Sequence, residues 1–72
     1  MNHKILYENL GKNIKKIRNE KGLTQEQLSE KVGVGLEFIG KIEIAKKKPS
    51  IDTFFKIAIA LEVEPYELLK FD

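Results

Sequence analysis

A chain of 72 residues holds one compact domain with a modest core, which excludes a large enclosed active site. Hydrophobic residues make up 42% and charged residues 33%, too apolar for a disordered chain, and the formal net charge is only +2. Cysteine is absent, excluding a disulfide framework, a thiolate zinc site and a cysteine nucleophile, and the one histidine, His3, has no partner histidine for a metal.

The elements follow from apolar spacing. From Ile5 to Lys21, the residues Leu6, Leu10, Ile14 and Ile17 recur at steps of three and four, the period of a helix with one buried face. Gly22 can take the left-handed conformation that closes it, which predicts a first helix over residues 5–21. Thr24-Gln25-Glu26-Gln27 is a capping box, so a second helix spans 25–32, with Leu28 and Val32 inward and Gly33 as the interruption. A third is expected over 35–43, carrying Phe38, Ile39 and Ile42, with a weak start because Gly35 offers no side-chain acceptor. Ala45-Lys46-Lys47-Lys48-Pro49 reads as a charged loop. Ser50 caps a fourth helix over 51–61, with Ile51, Phe54, Ile57, Ala58 and Leu61 at helical spacing. Pro65 opens a fifth over 65–70, with apolar contacts from Tyr66, Leu68 and Leu69. Five short helices, tight connections and no strand pattern predict one all-α domain across residues 1–72.

No apolar run approaches the ~18 residues of a membrane span. MNHKILYENLGK lacks the apolar core and small-residue cleavage site of a signal peptide, so a cytoplasmic protein is expected. Charge is unevenly placed: Lys4 to Leu61 holds most of the lysines, whereas Glu62, Glu64, Glu67 and Asp72 face only Lys70. A basic body of this kind points to a polyanionic partner.

Two short helices joined through a glycine, the second followed by a basic loop, form the arrangement that lays one helix in a DNA major groove while the other crosses the backbone. Here it runs from Gln25 to Ile44 with Gly33 at the turn. Leu28, Val32, Val34, Ile39 and Ile42 are spaced to hold the pair at a steep angle, and Ser29 is small enough for close approach.

Further residues agree with this motif: Leu10-Gly11-Lys12-Asn13-Ile14 and Ile17-Arg18 in helix one, Gly22 to Leu28 entering helix two, Val32-Gly33-Val34, Ile39 to Glu43, Lys46 to Ser50, and Ala60-Leu61-Glu62-Val63. On this set the chain resembles, along nearly its whole length, the lambda-repressor-like (Xre/Cro-type) helix-turn-helix regulators of bacteria and their phages. The resemblance implies a compact five-helix fold and a transcriptional regulator of double-stranded DNA. It implies a repressor that meets a palindromic operator as a homodimer through helix three, without cofactor, metal or small-molecule substrate. Gln25, at the positive end of helix two, corresponds to a residue that holds a DNA phosphate, and Lys46 and Lys48, with Lys47 between them, match a loop beside the backbone. Arg18 and Glu43 resemble a structural ion pair between helices one and three.

The base-facing positions correspond to Gly35, Leu36, Glu37, Gly40 and Lys41, a set poor in the paired hydrogen-bonding groups that read purines. Leu36 suits a thymine methyl, Glu37 a cytosine amine and Lys41 guanine, whereas Gly40 makes no contact and weakens its helix by ~1 kcal/mol relative to alanine. Ile44 and Ala45 depart from the polar-residue-then-glycine pair common in such proteins. A left-handed Ala45 would cost about 1–2 kcal/mol, so another loop path is expected here, and no phosphate contact from position 44. These departures keep open an alternative in which the same scaffold is a protein-interaction module. Phe55 and Ile59, with Tyr66, Leu69 and Phe71, form a candidate dimer patch. An enzyme is not expected: there is no phosphate-binding glycine loop, nucleophile elbow or metal-ligand cluster, and Glu26 with Glu30 and Glu62 with Glu64 lie in polar surroundings.

Overall fold

The computed structural model describes residues 2–71; Met1 and Asp72, the latter counted above with the acidic end, lie outside the described residues. Four α-helices, α1 (His3–Glu20), α2 (Gln25–Val32), α3 (Phe38–Glu43) and α4 (Ile51–Leu61), precede a 3-10 helix at Pro65–Leu69, with no strand among the described residues. The expectation of five α-helices is thus corrected to four and a 3-10 turn.

Each boundary has a local cause. The Asn2 side chain accepts from the Lys4 amide at 2.9 Å, which starts α1 two residues earlier than its apolar spacing suggests. Gly22, at φ +73°, closes α1 with Leu23 N donating to Arg18 O (3.0 Å) and Gly22 N to Asn19 O (3.0 Å), leaving Lys21 as the cap. At α2, Gln27 N donates to Thr24 Oγ1 (3.0 Å) and Thr24 N to Gln27 Oε1 (2.9 Å), and Gly33 at φ +85° ends it.

Helix α3 starts at Phe38, three residues later than expected. Glu37 makes no side-chain cap, and Gly35 to Glu37 form a turn closed by Phe38 N on Gly35 O (3.0 Å). With neither a cap nor a side chain at Gly35, nothing holds the first amides in helical geometry. The loop after α3 also corrects its expectation. Ala45 is left-handed at φ +60°, with Lys46 N on Lys41 O (2.8 Å), so the helix closes as a glycine would close it and the Cβ strain is accepted.

Ser50 accepts from Thr53 N (3.1 Å) to start α4. The last element winds more tightly than an α-helix. The element has only five residues, Pro65–Leu69, and Asn13 Nδ2 of α1 donates to Leu68 O (2.9 Å) and Lys70 O (3.1 Å), satisfying carbonyls at its end that have no partner within the helix.

One core joins the elements: Leu10 and Ile14 of α1, Leu28 and Val32 of α2, Ile39 and Ile42 of α3, Phe54, Ile57, Ala58 and Leu61 of α4, and Leu68. Helix α1 packs on α3 and the 3-10 helix, and α2 on α3 and α4. Where α1 crosses the end of α3, a Cβ on Gly11 would stand 2.6 Å from the carbonyl oxygens of both Ile42 and Glu43, so only glycine permits this approach. Ile51, at helical spacing with the core row of α4, is exposed, and so are Tyr66 and Leu69, expected as apolar contacts of the last element, leaving Leu68 as its buried residue.

Candidate nucleic-acid interface

Burial of Leu28, Val32, Ile39 and Ile42 sets α2 against α3, and Ser29 Oγ, wholly buried at the crossing, lies 3.4 Å from Leu36 O. That leaves Leu36, Glu37 and Lys41 exposed on one face, with Lys41 Nζ 3.9 Å from Glu37 Oε2. An open hollow of about 380 Å³ is lined by Gly35, Leu36, Glu37, Phe38, Lys41 and Lys47, so the outer face of α3 and the lysine loop share one concave surface. Gly35, Leu36 and Glu37 sit in the turn before α3, and only Gly40 and Lys41 of the base-facing set lie within the helix.

Lys46 and Lys47 are exposed. Lys48 leans back to α1, its Nζ 3.4 Å from His3 Nε2 and 5.2 Å from the centre of the Tyr7 ring. His3 and Tyr7 also line a second, apolar hollow of about 420 Å³ between α1 and the start of α4, with Leu6, Leu10, Ile51 and Phe54 among others, none of them in the motif.

Behind the exposed face lies a polar network. Arg18, 7% exposed, donates through Nε to Glu43 Oε2 (2.6 Å) and through the second guanidinium nitrogen to Oε1 (3.2 Å). Its remaining nitrogen reaches Leu23 O at 2.7 Å. Gln25 joins the network: Nε2 donates to Glu43 Oε1 at 2.9 Å, and its side chain lies over Gly40, where a Cβ would meet Gln25 Oε1 at 2.9 Å. Every buried side-chain polar atom among the described residues has a partner. The network ties the ends of α1, α2 and α3 together directly beneath the exposed face.

The proposed dimer patch divides. Phe55, Ile59, Tyr66 and Leu69 are exposed, while Phe71 is half-buried against the core. Ile51 lies one turn before Phe55 and extends the stripe along α4, a role its place in the apolar row concealed. Gly11, Asn13 and the Gln25–Gly40 contact were also not legible as parts of the site. For the glycines a signal existed, since glycine inside a helix demands a packing reason.

Two short helices, α2 and α3, packed on each other and joined through Gly33, with an exposed α3 face beside three lysines, define a helix-turn-helix protein. A helix-turn-helix family model matches residues 14–68, and the chain belongs to the lambda-repressor-like (Xre-type) helix-turn-helix family of DNA-binding transcriptional regulators.

Among relatives, it is similar to the uncharacterized HTH-type transcriptional regulator y4dJ of Sinorhizobium fredii, 33% identical over 60 residues covering 83% of this chain and 78% of that protein. The immunity repressor protein of Bacillus phage phi105 is 38% identical over 55 residues, 76% of this chain but only 38% of the repressor. Among solved structures, the restriction-modification controller protein C.AhdI from Aeromonas hydrophila aligns with a TM-score of 0.84 at 32% identity, covering 86% of this chain and 94% of that one.

Proposed function

We propose that this chain is the DNA-binding domain of a sequence-specific repressor, acting inside the cell, that binds a palindromic operator as a homodimer with α3 in the major groove. The observation that carries this reading is the shared concave surface of Leu36, Glu37, Lys41 and Lys47. Base-edge groups and backbone-binding charge then meet one groove together. In this reading Gln25, Lys46 and Lys47 hold phosphates, Lys48 joins them by swinging its exposed side chain off His3 and Tyr7, and Arg18 with Glu43 holds the frame. Relatives named as a repressor and as a controller protein support the same direction. The exposed stripe of Ile51, Phe55 and Ile59, with Tyr66 and Leu69, serves the dimer, which lets two α3 helices meet half-sites about 34 Å apart. No catalytic step or cofactor enters. The test is titration against the duplex upstream of its own coding sequence and against random duplex at several salt concentrations. Tighter binding to the upstream duplex is expected; equal affinity for both refutes specificity, and no binding at low salt refutes the reading.

A second reading, a protein-interaction module, is favoured by Leu36 and Ile44, both more than half exposed. It predicts that Lys46→Ala with Lys48→Ala leaves function intact, and loss of DNA-dependent regulation in that variant counts against it.

A further inference from the structure

We propose that Gly40 is a positioning residue for Gln25 rather than a base-facing one, a role that rests on the DNA-binding reading above. The distances define a seat. A Cβ at position 40 would lie 2.9 Å from Gln25 Oε1, 3.3 Å from Cδ and 3.4 Å from Nε2, so the whole terminal amide occupies the space a side chain would fill. The amide's orientation is set from the other side. Glu43 accepts two bonds from Arg18, and its Oε1 takes a third from Gln25 Nε2 at 2.9 Å. An ionised carboxylate only accepts, so the nitrogen of Gln25 must face Glu43 and the oxygen must lie toward Gly40. One N–H of Gln25 is thereby committed and the second is left, at the first residue of α2, for a phosphate oxygen. Glycine at 40 gives up a side chain in the groove in return for a fixed donor on the backbone. Any Cβ there pushes Gln25 off the seat, because the amide is the mobile end of a flexible side chain while the α3 backbone is packed on the core.

The experiment compares wild type, Gly40→Ala, Gln25→Ala and the double variant, each checked by circular dichroism for native helix content. Affinity is measured for the upstream duplex and for a random duplex, and the Gln25 side-chain amide is followed by NMR. The expected result is that G40A shifts the Gln25 amide resonances and weakens binding to both duplexes by the same factor, about three- to tenfold for one lost hydrogen bond. The double variant binds no more weakly than Q25A. Wild-type affinity in G40A, a change in the ratio between the two duplexes, or additive losses in the double variant would overturn the proposal. Wild-type protein that binds neither duplex removes the DNA-binding reading and the proposal with it. An amide shift in G40A under that outcome leaves Gly40 as a structural seat only, so the two failures are told apart.

Discussion

Ala45 and Glu62 hold left-handed backbone at φ +60° and +59°, where a Cβ crowds the neighbouring peptide. Each closes a helix that glycine would close without strain. Ala45→Gly and Glu62→Gly are therefore expected to raise stability by about 0.5–1 kcal/mol each, the strain relieved exceeding the extra freedom glycine gives the unfolded chain. Thermal melts check this, with an expected rise of about 2–8 °C per substitution for a domain of this size. Glu43 presents the opposite case. Removing it leaves the Arg18 guanidinium buried with Leu23 O as its one remaining protein acceptor among the described residues, so Glu43→Ala should cost about 3–5 kcal/mol in urea unfolding. Replacing both partners with apolar residues of similar size should cost less than E43A alone, because no charge is then stranded. The place of Arg18 and Glu43 at the ends of their helices was legible in the chain, since the resemblance aligns both. The commitment of Gln25 to that pair was not, because a side chain's choice between solvent and a partner 18 residues along the chain depends on how α2 and α3 pack, which spacing does not specify.

At the scale of elements, α2 was legible to the residue, because its capping box and closing glycine are local chemistry. The start of α3 was not, since apolar periodicity marks a face without marking where helical hydrogen bonding begins. The end of the 3-10 helix is likewise anchored by Asn13, more than fifty residues away in the chain. Gly11 is the contact that sets how α1 meets α3. Gly11→Ala should cost about 1–3 kcal/mol despite the better helix propensity of alanine, because the Cβ would meet two backbone carbonyls that cannot rotate away. A shift of the urea midpoint to lower concentration is expected, and a shift to higher concentration would show that α1 and α3 separate without loss.

For the whole molecule, an apolar stripe of Ile51, Phe55 and Ile59 on α4 stands exposed, with nothing covering it among the described residues. Ile59 is 75% exposed, so Ile59→Lys should leave the fold intact. Sedimentation should show the molecular mass falling to that of one chain, with operator affinity falling with it; an unchanged mass would place the dimer elsewhere or remove it. DNA binding by this domain rests on charge, since phosphate contacts supply a large share of protein–DNA affinity. Its most direct test is the dependence of DNA affinity on salt in the wild type and in a variant with Lys46, Lys47 and Lys48 all changed to alanine. The slope of log K against log salt is expected to flatten by about 0.9 for each lysine that neutralises a phosphate. An unchanged slope in the triple variant would contradict a DNA backbone seated on this loop.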